Sequence, residues 1–270
     1  MEYDLNNKYW AYFLGFFWGD GCFGANGKPT TPRIVILKSD ADILFPVFAQ
    51  ILSFQYREFE QPNGKIASVA LFNFNKNSLI KLLAENDYLS KAISPHTKIL
   101  KLIPENLHNY FWRGFFDADG CFFKSVKRKG GVFSVVSDIR QDWREVRKMF
   151  ASIDVESLQE YKDVEKNGNK SSKLILANGK GIKKLYDYLY PCGFDLGLER
   201  KFQKATDILD SLPKYTSIHK NISWNKKDKK WNVIVGDKYL GRFSDIKDAV
   251  DAKIRFLAQI SASKTLEMSH

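Results

Sequence analysis

Residues 12–23 read YFLGFFWGDGCF and residues 111–122 read FWRGFFDADGCF; set against each other at an offset of 99, seven of the twelve positions are identical. A match of that size inside one chain marks a duplication, and it divides the first 213 residues into two homologous units, 1–105 and 106–213. Any fold must therefore accommodate the same segment twice. Each copy predicts a helix running into a strand. Aromatic and aliphatic residues cover more of it than one apolar stripe allows, so the helix is expected to be buried nearly all round. Gly15 and Gly19 in one copy, and Gly114 and Ala118 in the other, lie four apart on one helical face, where small side chains let a second backbone approach. Gly21 and Gly120 then read as left-handed residues closing the two helices.

The aspartate before each of those glycines, Asp20 or Asp119, is left at the helix end. If the small faces pair, two carboxylates meet at one end of a helix pair. They repel each other there and face helix dipoles that disfavour negative charge. A hard divalent cation such as Mg²⁺ or Mn²⁺ relieves both costs. One Asp-Gly on its own is more often a turn. Two copies in a basic chain favour the metal reading.

The chain carries 42 Lys and Arg against 31 Asp and Glu, a formal net charge of +11, and its last 57 residues hold 12 basic and 6 acidic side chains. Such a field seeks a polyanion: nucleic acid first, an anionic membrane surface second. Cys22, Cys121 and Cys192 form no CxxC pair, and with four scattered histidines the pattern excludes an ordinary zinc site. The longest apolar run, residues 10–18, is too short to span a bilayer, and the first ten residues lack the basic start of a signal peptide, so a cytoplasmic protein is expected.

FLGFFWGDG (13–21) and WRGFFDADG (112–120), together with LERKFQKATDIL (198–209), resemble the paired motifs of single-chain LAGLIDADG homing endonucleases over roughly residues 8–211. The resemblance implies an α+β fold of two pseudo-symmetric αββαββα units packed through their motif helices, with the two sheets forming a saddle over the major groove of double-stranded DNA. It implies a monomer that needs no protein partner. Asp20 and Asp119 would bind the metal, and a Lys or Gln in each half would stand near the scissile phosphates: Lys201 in the second unit, Lys98 in the first. The polar partner on the second strand falls at Leu37 or Lys38 and at Ser137, a Leu being a departure from the family. Arg33, Lys38 and Lys124 would lie on the DNA face. Lys127, Arg128 and Lys129, at a hairpin tip, can reach a phosphate backbone. The implied reaction is phosphodiester hydrolysis in both strands at a long asymmetric site. An RNA maturase and a non-cleaving DNA-binding regulator share the fold and remain the rival readings.

The rest of each unit fits that layout. Strands are expected at 33–38, 56–60 and 66–74, the last two flanking a Pro62–Asn63–Gly64 turn, with a helix capped by Asp40 between the first two and another after Asn75 or Asn77. In the second unit strands are expected at 121–128, 132–137, 158–164 and 173–177, with helices at 140–152, 182–189 and 198–209. After Pro213 the texture changes. Residues 221–258 predict three strands (222–225, 231–235 and 239–243) and a helix bearing Ala249, Ala252 and Phe256. This segment, placed in a third module 214–270, resembles the APETALA-type (ethylene-response-factor-like) DNA-binding domain. That resemblance makes Trp224, Lys226, Lys230, Trp231 and Arg242 candidate DNA contacts, packing against the helix being the alternative for the tryptophans.

Overall fold

Asn7 accepts from the Tyr9 amide at 2.8 Å and so starts helix α1 (Lys8–Asp20). From there the first half runs β1 (Gly21–Ala25), β2 (Lys28–Leu37), α2 (Lys38–Phe48), β3 (Gln55–Glu60), β4 (Ile66–Leu71) and α3 (Lys76–Glu85). The structure is a computed structural model that describes residues 3–25, 28–73, 76–88, 94–125, 130–164, 170–211 and 221–267. A short helix α4 (Thr97–Leu102) leads into the second half. There the order repeats as α5 (His108–Asp119), β5 (Gly120–Ser125), β6 (Gly130–Asp138), α6 (Arg144–Ser152), β7 (Leu158–Val164), β8 (Lys170–Leu176) and α7 (Gly179–Leu189), with α8 (Glu199–Ser211) added. Both halves are thus αββαββα units.

Each half builds an antiparallel four-stranded sheet in the same order, β1-β2-β4-β3 and β5-β6-β8-β7. Alternation sets the faces: Ile34 and Ile36 point into the core, while Val35 and Leu37 point to the open side. The β3–β4 hairpin closes through the predicted Pro62–Asn63–Gly64 turn, where Gly64 takes φ +76°, a conformation a side chain resists. Between the sheets and the central helices lies one core shared by both halves. It is unusually aromatic: Phe13 meets Phe48 and Phe72 edge-on at 5.2 and 5.3 Å, and Phe116 meets Phe133 at 4.9 Å.

Helices α1 and α5 pass each other backbone to backbone. A Cβ on Gly15 would lie 1.8 Å from the Phe111 carbonyl oxygen, one on Gly114 would lie 2.1 Å from that of Tyr12, and one on Gly19 would lie 2.4 Å from the Ala118 Cβ. The contacts advance from Gly15–Phe111 through Phe16–Gly114 to Gly19–Ala118, so the helices run parallel and their C-termini lie at the same end. Bonds between the halves reinforce the pair. Tyr12 donates to the Asp117 carboxylate at 2.8 Å, and Arg200 on α8 grips Asp40 on α2 through two bonds of 2.8 and 2.6 Å.

Three local expectations are corrected. Gly21 and Gly120 are extended (φ −69° and −86°), not left-handed. Glycine is needed there because a Cβ would lie 2.3 Å from the Phe17 carbonyl oxygen in one copy and 2.7 Å from that of Phe116 in the other. Asp40 does not cap α2, which already begins at Lys38; its carboxylate is taken by Arg200. Helix α6 begins at Arg144 and not near 140, because Asp138 and Asp142 hold residues 138–144 in turns by accepting from Arg140 and Arg144. The proposed caps Asn75 and Asn77 and the 165–169 turn lie outside what is described, as backbone or as side chain.

The chain divides into two compact units, Met1–Ser211 and Leu212–His270. In the second, β9 (Ile222–Asn225), β10 (Lys230–Val235) and β11 (Lys238–Phe243) form a sheet in the order β11-β10-β9, and α9 (Ile246–Glu267) follows. Its small core joins Ile222, Trp231, Val233 and Ala249. Among the described residues no helix is long and apolar enough to cross a membrane.

Candidate metal centre and nucleic-acid face

Asp20 and Asp119 are the last residues of α1 and α5, each one position beyond the Gly19–Ala118 contact, and each is partly buried. Two neighbouring groups register both halves at once. Burial, then Cys22, Asp20 and Asp119, push the Tyr88 phenol well above its ordinary range, so one hydroxyl feels both carboxylates. Lys201, from the second half, is pulled upward by Asp20 of the first, although burial dominates and lowers it overall. The two aspartates therefore share one end of the helix pair.

The backbone around them is held from the side. In the second half the Lys201 ammonium, 7% exposed, donates to the carbonyls of Phe116 (2.9 Å), Asp117 and Gly120 (2.8 Å). In the first half Tyr88, 2% exposed, donates to Gly21 at 2.7 Å and reaches Phe17 at 3.2 Å. Lys98 is placed differently: about half exposed, it pairs with Asp87 at 2.8 Å. Asp117, which stands where the first copy has Trp18, is buried. It accepts from the Leu198 amide at the start of α8 and from Tyr12, and burial raises its carboxyl against the pull of Lys201. Sequence reasoning did not find Tyr88, and it also missed Arg113. The Arg113 guanidinium is buried, bonds to the carbonyls of Leu189 and Leu196 and to Asp195, and stacks between Tyr110 and Tyr190.

The donor chemistry fits a hard cation. Two carboxylates would supply oxygen ligands, and the described residues contain no cluster of three or more Asp, Glu, His or Cys that could hold a metal ion. An ion held by two carboxylates must take its remaining oxygens from water or a bound polyanion, the habit of Mg²⁺.

On the open side of the first sheet, Arg33 stands in register with Cys22 and Leu71 and shares a face with Val35 and Leu37. Lys38 is engaged by Glu58 (2.6 Å) and Asp42 (3.1 Å). Lys124 is exposed on β5, and Ser137 on β6 donates to Gln141 at 3.0 Å. Lys127, Arg128 and Lys129 lie outside the described residues. In the small unit Lys226 and Lys230 are exposed, and Arg242 is exposed and paired with Asp228 at 2.5 Å. Ser223, Asn232 and Arg242 form one cross-strand row, on the face opposite Trp231 and Val233. Trp231 is 8% exposed inside that unit's core, with Trp224 edge-on at 5.0 Å, so packing claims its ring.

Residues 106–190 match the family model described as the LAGLIDADG-like domain. Among solved structures, the LAGLIDADG meganuclease I-AabMI bound to uncleaved DNA is similar with a TM-score of 0.48 and 16% identity, over 76% of this chain and 90% of that one. The homing endonuclease I-WcaI bound to its DNA recognition sequence gives 0.47 and 18%, over 73% and 87%. No curated protein matches the chain.

Proposed function

We propose that this chain is a site-specific endonuclease that hydrolyses phosphodiesters in both strands of double-stranded DNA, using Mg²⁺ or Mn²⁺ held between Asp20 and Asp119. The observation that carries the reading is the convergence of these two carboxylates at one end of a parallel helix pair packed so closely that Gly15, Gly19 and Gly114 have no room for a Cβ. Burying like charges together has no structural return, whereas a shared cation makes the arrangement favourable. The LAGLIDADG-like character of residues 106–190 supports it.

A bound divalent cation would neutralise charge on the scissile phosphate and make water a stronger nucleophile. The chain's own part is to aim and to hold. Asp20 and Asp119 would supply the oxygen ligands, and Lys201 fixes a positive charge beside them while it ties the carbonyls of Phe116, Asp117 and Gly120. The open sheet faces, through Arg33 and Lys124, and Lys38 at the start of α2 position the duplex, with Lys127, Arg128 and Lys129 reaching its backbone. Units 1–105 and 106–213 each address one half of an asymmetric site, so a monomer suffices. Residues 214–270 act as an APETALA-type DNA-binding module that grips with Lys226, Lys230 and Arg242, Trp224 sharing with Trp231 the face turned to that unit's core.

The test is cleavage of a plasmid library carrying random duplex inserts, with Mg²⁺ and with Mn²⁺, by the wild-type chain and by Asp119→Asn. Linear product from the wild type alone is expected, with binding retained in the variant because recognition lies on the sheets. Binding without cutting in either metal would favour the DNA-binding regulator, and preference for structured RNA the maturase. Full cleavage by Asp119→Asn would remove the carboxylate pair from the mechanism.

A further inference from the structure

The ends of the two motif helices are tied by different chemistry at equivalent places. Phe17 and Gly21 of the first copy correspond, at the offset of 99, to Phe116 and Gly120 of the second. In each half one buried side chain gathers this pair of carbonyls, one on either side of the aspartate: Tyr88 in the first and Lys201 in the second. The two side chains come from unrelated places, Tyr88 after α3 and Lys201 on α8. Three carbonyls surround Lys201, matching the three N–H groups of an ammonium, whereas the phenol has one hydrogen to share between two acceptors.

We propose that Tyr88 is a positioning residue of the carboxylate pair, the first half's counterpart of Lys201, and that its lack of charge makes the two halves of the centre chemically unequal. The consequence for cleavage rests on the endonuclease reading above. A helix C-terminus disfavours an aspartate. Lys201 bonds its positive charge directly to the carbonyls at that end of α5 and offsets the cost there, Asp20 feeling it only across the helix pair, while Tyr88 ties the carbonyls of α1 without a charge. Lys98 does not restore the balance, because Asp87 meets its charge. The Asp20 half therefore leans harder on an added cation, and a duplex across the centre meets two sites of different strength. Its strands are cut one after the other, and a nicked intermediate accumulates.

Tyr88→Phe and Lys201→Met in the full chain separate the parts of this proposal. Amide hydrogen exchange of the free protein should rise across residues 17–25 in Tyr88→Phe and across 116–125 in Lys201→Met, each change confined to its own half. Unchanged exchange at 17–25 in Tyr88→Phe overturns the positioning role, whether or not the chain cuts DNA. Titration with Mn²⁺ alone should show weaker binding in Tyr88→Phe, whose carboxylate is misplaced, and tighter binding in Lys201→Met, which loses a repelling charge. Shifts in the same direction overturn the inequality. With a duplex recovered by cleavage selection, each variant should slow chiefly one strand, and a different one, by about 10- to 100-fold, the usual cost of removing a group that orients a ligand. Equal slowing of both strands by both variants is the signature of general damage and refutes the proposal. If exchange and Mn²⁺ respond as expected while the wild type cuts nothing, the endonuclease reading fails and Tyr88 keeps its role.

Discussion

His96 offers a clean measurement because its imidazole is buried with nothing to bond to. It is 1% exposed, its rings of contact are Phe115 (4.8 Å), Trp112 (5.3 Å) and Phe111 (6.0 Å), and neither ring nitrogen has a hydrogen-bond partner among the described residues. Burial lowers its pKa from the ordinary 6.5 to about 4, against an upward pull from Glu145 and Asp142. The folded value lies below the unfolded one, so the unfolded chain takes up the proton first. The stability linked to this group is complete above pH 6.5 and is lost as pH falls toward 4. A gap of about 2.5 units at 1.36 kcal/mol each amounts to about 3 kcal/mol across that window. The perturbation is His96→Leu, which keeps an apolar filling and removes the titration. At pH 7 the variant should be as stable as the wild type or slightly more so, since a buried, unbonded N–H is removed. Urea unfolding of both proteins at pH 7, 6 and 5 gives the result as a difference, in which carboxylates common to both cancel. The wild type should lose about 0.7 kcal/mol more than the variant between pH 7 and 6, and about 1.2 kcal/mol more between pH 6 and 5. Parallel curves would show that His96 is not held neutral, and the burial argument would be wrong.

Three further outcomes follow from the packing and from the small unit. Gly114→Leu or Gly15→Leu should cost well over the roughly 1–3 kcal/mol of ordinary overpacking, since the obstacle is backbone, and unchanged thermal stability would contradict the helix contact. Arg113→Met should cost about 1–3 kcal/mol for each of the two buried carbonyls it leaves unbonded, those of Leu189 and Leu196, as read from urea midpoints, Asp195 keeping Lys8 and Tyr110. A chain ending at Ser211 should fold and cut at the same bonds, while binding duplex more weakly and with a shallower salt dependence than the full chain. Equal affinity and slope for the two lengths would show that residues 214–270 do not touch DNA.

The duplication made the central geometry legible before any coordinates. Twelve residues, compared with their own copy, located the buried helix pair, the small faces and the two terminal aspartates. What they could not show was how those helix ends are tied down. Tyr88 and Lys201 do equivalent work at an offset of 113, not 99, and the duplicate of Lys201 by the repeat is Leu102. The segments after the second hairpin have diverged, so the repeat does not carry over here. Lys98, which the resemblance offered for the first half, pairs with Asp87. The expectation of left-handed glycines at 21 and 120 had a similar origin: a glycine after a helix usually relaxes φ, but here it makes room for a carbonyl. The Asp40–Arg200 and Arg113–Asp195 pairs span 160 and 82 residues, beyond any local pattern.

The closeness of α1 and α5 has a bearing on how such chains can be recombined. Where backbones touch directly, the interface holds little side-chain identity: it asks of a partner only a helix of the right direction with small residues at two positions four apart. A half from a related chain could dock on this one with its sheet, and hence its recognition surface, unchanged. Compatibility would be decided instead by polar pairing, where Arg200 requires an acid at position 40 and the buried Asp117 requires the hydroxyl of residue 12. The most crowded contact in the molecule is in this sense its most interchangeable joint, and two polar pairs act as its keys.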